Sequence, residues 1–157
     1  MSYFQLKITS KLGPLFLVAS EEGLCGVHWE EQPSPFLKDH TMVPAAQHLL
    51  EAAEQIEAYL NGERKLFDVT LAPQGTAFQR EVWNELRQIP YGQTISYQEL
   101  AIRVKRPKAC RAVGSANGKN PLTLIIPCHR VIASNASLGG YSGGLDRKSW
   151  LLSLESL

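Results

Sequence analysis

The segment Asn120-Pro121-Leu122-Thr123-Leu124-Ile125-Ile126-Pro127-Cys128-His129-Arg130-Val131 reads as an apolar strand that ends in a proline and sets a thiol beside an imidazole. A thiol is nucleophilic only as thiolate, and with an ordinary pKa of about 8.5 it needs a base or a positive neighbour. His129 is the available base, and Pro127 fixes the chain just before the sulfur. Neighbours in an extended strand point to opposite faces, so a Cys128 to His129 bond requires the backbone to turn or a water to bridge. The other reading of Cys128 is a buried structural cysteine, the commonest fate of a free thiol. Cys25, in a predicted strand, and Cys110, in a predicted small-residue helix, read as structural. Cys25 and His28 form a CxxH pair with no second ligand pair at zinc spacing, which predicts no metal site.

Two further stretches bear on chemistry. Lys105-Arg106-Pro107-Lys108 is a tight basic turn between two short predicted helices, the outline of a helix-turn-helix whose second helix covers residues 107 to 117. Lys105, Arg106, Lys108 and Arg111 crowd its start, where backbone amides and the helix dipole favour phosphate. A solvated charged face between ordinary helices has the same signature. Leu138-Gly139-Gly140-Tyr141-Ser142-Gly143-Gly144 is a glycine-rich loop without dinucleotide or phosphate-loop spacing, and reads either as a surface loop or as one wall of a pocket for a flat ligand.

The elements that must carry these groups fall into two parts. Phe4, Leu6 and Ile8 alternate with Tyr3, Gln5 and Lys7, a strand with one buried face; Leu15 to Ala19 and Leu24 to Trp29 complete an antiparallel meander. Residues 30 to 44 hold three prolines and read as loop. Ala46, Leu49, Leu50, Ala53, Ile56 and Leu60 recur at helical spacing up to an Asn61-Gly62 stop, and Phe67, Val69 and Leu71 read as one more strand. After Ala72-Pro73-Gln74-Gly75 the pattern turns helical. Thr76 to Gln79 is a capping box, Ser96 to Glu99 caps a second helix running to about Val104, and Pro107 suits the first turn of a third. Leu145, Trp150, Leu151 and Leu154 mark a last helix. The expected fold class is therefore α+β, with a small amino-terminal unit over 1–72 and a mainly helical unit over 73–157.

The 157 residues are 44% hydrophobic and 20% charged, enough apolar content to build a core, and this excludes wholesale disorder. No apolar run reaches the roughly 20 residues of a membrane helix, and the start lacks a signal-peptide pattern, so a cytoplasmic location and no membrane partner are expected. Three widely spaced cysteines suit reduced thiols. A net charge of +1 excludes a molecule-wide electrostatic clamp, so any DNA contact must be local.

PCHRV at 127 to 131 resembles the active-site segment of O6-alkylguanine-DNA alkyltransferases. FQREVW at 78 to 83, IPYGQTISYQELA at 89 to 101, PKACRAVGSANGKNP at 107 to 121 and YSGGLDRKSWLL at 141 to 152 resemble segments of the same family in the same order. The resemblance is dense over 73 to 157 and loose before it. It implies a ribonuclease H-like amino-terminal domain, and a single-use repair reaction in which Cys128 accepts an alkyl group from O6 of guanine or O4 of thymine in double-stranded DNA, after nucleotide flipping. It further implies that His129 draws the Cys128 proton through water, that Glu155 orients His129, that Asn120 braces the active-site turn and that Tyr97 donates to the leaving guanine. Ser142, with Gly143 and Tyr141, would meet the base; Arg111 would fill the space it leaves; Ser96, Ala109 and Asn117 would also face DNA. No cofactor and no obligate protein partner are implied, and a monomer is expected. Some relatives carry an amino-terminal zinc site or a cysteine-rich regulatory module, and neither ligand set is present. The competing readings are a lesion sensor without a cysteine acceptor, a helix-turn-helix regulator with a buried cysteine, and a thiol hydrolase, which would turn over repeatedly.

Overall fold

The computed structural model describes residues 1–39, 43–135 and 137–157. It divides into two compact units, Met1–Gln74 with Pro121–Thr123, and Gly75–Asn120 with Leu124–Leu157. The expected 30–44 loop runs partly outside the described residues, at 40–42.

In the first unit, β1 (Phe4–Ser10), β2 (Gly13–Ser20) and β3 (Gly23–His28) form an antiparallel sheet in that order. Helix α1 (Pro44–Leu60) packs on all three strands. Its buried face, Ala45, Ala46, Leu49, Ala52, Ile56, Tyr59 and Leu60, repeats at helical spacing, and Leu15, Leu17 and Leu24 of the sheet are fully buried. Pro44 opens the helix, where a missing N–H costs nothing. Gly62, at φ 77°, closes it, with Gly62 N–H donating to Tyr59 O at 3.0 Å.

Two expectations are corrected here. The first concerns the buried face of β1: Gln5, read as outward, is fully buried, whereas Phe4, Leu6 and Ile8 are only partly so. The loop crosses that side of the strand: Gln5 N–H donates to Pro35 O, Leu37 N–H donates to Gln5 O, and the Gln5 amide donates to Gln32 O at 2.7 Å and to Ser34 O. A polar side chain is tolerated inside because its groups are bonded. The second is the strand read at 67–71, which reduces to one isolated bridge, Leu24↔Leu71. Gln55 of α1 takes both backbone groups of Asp68, at 3.0 and 2.8 Å, so they are withdrawn from any sheet ladder.

The second unit holds α2 (Ala77–Leu86), β4 (Ile95–Ser96), α3 (Tyr97–Arg103), α4 (Cys110–Gly118), a 3₁₀ turn (Cys128–Arg130), β5 (Val131–Ile132) and α5 (Leu145–Glu155). The Thr76/Gln79 capping box opens α2 with both reciprocal bonds made. The Ser96 hydroxyl accepts from Glu99 N–H at 3.0 Å and opens α3. Pro107 lies in the turn before α4 rather than in its first helical turn, since the helix starts only at Cys110. Helices α2, α3 and α4 pack together, and the buried Trp83 indole donates to Ala116 O at 2.9 Å. Strands β4 and β5 pair in parallel, Ile95↔Val131 and Ser96↔Ile132, which sets the start of α3 beside the chain leaving Cys128.

Candidate active site

The run before Cys128 is not the expected strand. Residues 123–125 turn, Leu124 takes φ 73°, and Cys128 N–H donates to Ile126 O at 2.8 Å as the 3₁₀ turn begins. The alternation argument fails because a leucine in the left-handed region redirects the chain, a conformation that costs a branched side chain energy and is held by its surroundings. Asn120 helps to hold it, donating Nδ2 to Ile126 O at 2.7 Å. The turn removes the opposition of neighbours that an extended segment would impose on Cys128 and His129.

Three groups on this turn and α5 form a buried ionic cluster. His129 Nε2 lies 2.8 Å from Glu155 Oε2; Arg130 donates Nε to Glu155 Oε1 at 2.8 Å and Nη2 to Oε2 at 2.9 Å. Arg130 Nη1 also donates to Ile89 O at 2.8 Å, and its guanidinium lies 5.6 Å from the Tyr91 ring centre. His129, Arg130 and Glu155 are all buried. Burial holds the His129 imidazole below its ordinary value; the Glu155 hydrogen bond and charge pull it up, and the Arg130 and Lys148 charges add to the lowering.

Cys128 is 4% exposed, yet its surroundings are polar rather than hydrocarbon alone. Asn117 donates Nδ2 to Cys128 O at 3.5 Å. Tyr97 and Lys148 are both close enough to feel the charge of Cys128. Burial pushes the Tyr97 phenol up, a hydrogen bond from the Gly140 backbone opposes this, and the Cys128 charge adds to the rise, so Tyr97 stays a donor at neutral pH. Lys148 is buried, donates Nζ to Val131 O at 2.7 Å and to Gly140 O at 3.0 Å, and is pushed down to about 8 by burial. The glycine-rich loop therefore bonds Tyr97 through one group of Gly140 and Lys148 through another. Gly139 has φ 68°, and a Cβ there would meet the Tyr97 hydroxyl at 3.0 Å, so only glycine lets the loop lie this close to the phenol.

The structure gathers Cys128, His129, Glu155, Asn120 and Tyr97. It keeps Arg111 exposed on the first turn of α4, and Ser142 exposed on the loop with Tyr141 and Gly143 partly covered. Ala109 is partly exposed at the N-cap of α4, and the Ser96 hydroxyl is committed to capping α3. Asn117, expected on the DNA side, is corrected: it lies 4% exposed with its amide turned inward to the Cys128 carbonyl, because it shares the inner face of α4 with Val113 and Ala116. Sequence reading missed Arg130 and Lys148. Lys148 had a signal, since Lys148, Leu151 and Glu155 recur on one face of α5 and put two charges in line with a core leucine. Among the described residues no group of three or more His, Cys, Asp or Glu is placed to hold a metal.

Residues 77–157 match the family described as 6-O-methylguanine DNA methyltransferase, DNA binding domain, and residues 4–73 match its ribonuclease-like domain. The chain belongs to the 6-O-methylguanine DNA methyltransferase family. A methylated-DNA–protein-cysteine methyltransferase of Methanosarcina acetivorans is 49% identical over 146 residues, covering 93% of this chain and 94% of that protein. The protein of the same name from Haemophilus influenzae is 40% identical, covering 94% and 83%. Among solved structures, Mycobacterium tuberculosis OGT in complex with DNA superposes with a TM-score of 0.84 at 43% identity, covering 99% of this chain and 93% of that one. This member of the methyltransferase family thus pairs a stretch that matches the ribonuclease-like domain with one that matches the DNA-binding domain. Cys128 and the hydrogen-bonded His129–Glu155 pair lie in the second.

Proposed function

We propose that this chain repairs double-stranded DNA by moving an alkyl group from O6 of guanine, and from O4 of thymine, onto Cys128, once per molecule. The observation that carries the reading is His129, next to Cys128, with Nε2 held at 2.8 Å by Glu155 in a chain 49% identical to a methylated-DNA–protein-cysteine methyltransferase.

The target carbon sits on a base edge shielded by stacking, so the nucleotide leaves the duplex first, at a cost of a few kcal/mol that is least for a weakly paired base. Arg111, exposed at the start of α4 among Lys105, Arg106 and Lys108, fills the space left behind and offsets part of that cost. Ala109 and Ser96 line the same DNA-facing end, and Tyr141, Ser142 and Gly143 form the loop wall against the extruded base.

His129 takes the Cys128 proton, directly or through one water. The sulfur lone pair then forms the S–C bond as the C–O bond breaks, and its electrons pass to the purine. The leaving guanine gains a proton with Tyr97 as donor, which stops charge building on the ring. The product thioether offers no acyl carbon to water, so the cysteine is not regenerated. Alkyl donor and acceptor are DNA and protein, so the reaction needs no cofactor, and one chain suffices. Among the described residues no helix is long and apolar enough to cross a membrane. The three cysteines are in no disulfide, which accords with a reducing compartment, and we assign the protein to the cytoplasm.

Incubation with a duplex containing O6-methylguanine is expected to add one methyl mass to the tryptic peptide bearing Cys128, as lesion disappears in equal amount. Unmodified protein after complete repair, or more than one lesion repaired per chain, overturns the reading. Arg111→Ala is expected to react with free O6-benzylguanine at the parent rate while slowing on duplex DNA by about 10-fold or more, the scale of one lost interaction of a kcal/mol or two. Equal slowing on both substrates removes the extrusion role.

A further inference from the structure

Glu155 faces two candidate partners for one negative charge. Its Oε1 takes Arg130 Nε, and its Oε2 takes both Arg130 Nη2 and His129 Nε2. A buried carboxylate alone beside an imidazole draws a proton onto it and makes an imidazolium, which is no longer a base. Arg130 carries a permanent charge in the fork geometry that fits both oxygens. With Glu155 already paired, His129 need only donate a neutral Nε2–H, and the tautomer that does so leaves Nδ1 as the basic nitrogen.

We propose that Arg130 is a positioning residue for the transfer: by holding both oxygens of Glu155 it absorbs the carboxylate charge and keeps His129 the neutral imidazole that accepts the Cys128 proton at Nδ1. The proposal deepens the alkyl-transfer reading and rests on it for the identity of the nucleophile. The charged groups around His129 divide by sign: Glu155 raises its proton affinity, and Arg130 and Lys148 lower it. From α5 come Glu155 and Lys148, from its own turn Cys128 and Arg130, and Tyr97 of α3 lies toward Cys128. The buried face of α2 contributes only Val82, Trp83 and Leu86, with no charge. Tyr91 lies under the Arg130 guanidinium and keeps it aligned on Glu155. Of these, Arg130 is the cation bonded to Glu155; Lys148 is committed to the carbonyls of Val131 and Gly140 and is the group that titrates, near 8, on the alkaline side.

The test uses the full chain with ¹⁵N-labelled histidine, and single-turnover transfer from free O6-benzylguanine between about pH 5 and about pH 9. In the parent protein, His129 is expected to be neutral with its proton on Nε2 at neutral pH, and the acid limb of the rate to lie below the ordinary histidine value of about 6.5. Arg130→Met is expected to move that limb up by about one pH unit or more, the scale of one lost neighbouring charge. Arg130→Lys restores the charge and returns the limb to the parent position, at a lower plateau. An imidazolium at neutral pH in the parent, or an Arg130→Met limb that stays in place while the rate falls equally at every pH, overturns the proposal. If Arg130→Met does not fold, the parent tautomer and the Arg130→Lys limb decide it, and a displaced Arg130→Lys limb overturns it. Failure of the parent to transfer at any pH sinks the alkyl-transfer reading instead, while the NMR titration still reports on Arg130.

Discussion

Cys128→Ser is expected to bind methylated duplex DNA as tightly as the parent and to transfer no methyl group to itself. Displacement at a saturated carbon needs a polarizable anion in line with the C–O bond, and a serine hydroxyl beside the same histidine remains largely protonated and a far weaker nucleophile. Where a nucleophile and base act as a unit, losing the nucleophile alone removes nearly all of the acceleration, about 10⁶-fold in a well-studied serine protease. The substitution is nearly isosteric at a site 4% exposed, so the fold and the exposed Arg111 of α4 are preserved. A gel-shift with O6-methylguanine duplex, run beside mass spectrometry of the Cys128 peptide, separates the two effects. Methylated protein at a rate near the parent's would show that another atom is the acceptor.

The second large effect is on stability. Glu155→Ala strips the buried Arg130 of its ion pair and leaves it the Ile89 carbonyl at 2.8 Å and the Tyr91 ring. Breaking a buried pair from one side costs about 3–5 kcal/mol, because a charge is left uncompensated away from water. Urea denaturation followed by the fluorescence of Trp83 and Trp150 is expected to show that loss, whereas the double variant Arg130→Met/Glu155→Leu regains most of it, since apolar side chains of similar volume remove both charges together. The double variant should nevertheless transfer slowly, because nothing then holds His129 Nε2. A single Glu155→Ala cost below about 1 kcal/mol would mean that the cluster is solvated rather than buried.

The same cluster fixes how stability responds to acid. Burial depresses the folded-state value of His129 below the ordinary 6.5, so as pH falls past that value the unfolded chain takes up a proton that the folded chain refuses. His129 thus contributes stability that is complete above about 6.5 and is lost as pH drops toward its folded-state value.

Much of the fold was legible because its signals are short-range. The Thr76/Gln79 box, the Ser96 cap and the Gly62 stop each depend on residues within a few positions of one another and formed as read; the stripe of α1 formed at Ala46, Leu49, Ile56 and Leu60, whereas Leu50 is exposed and Ala53 only partly covered, their places on the buried face taken by Ala45, Ala52 and Tyr59. Two readings failed where a distant segment competed for the same backbone: alternation at 67–71 lost to the Gln55 side chain, and alternation in β1 to the loop at 32–37. The apolar run before Cys128 failed within itself, at the left-handed Leu124.

By itself, the sequence determined which atoms could do the chemistry: a proline-fixed Cys128 beside His129, a basic turn ahead of a small-residue helix, and a glycine loop leading into α5. Only the tertiary structure decided how those atoms are charged. Glu155 reaches His129 and Arg130 from 26 and 25 residues away, and Lys148 reaches Val131 O from 17 away. Their protonation depends on burial and on neighbours brought together by folding, and a charge's solvation and partners are properties of a place in space rather than of a position in a string.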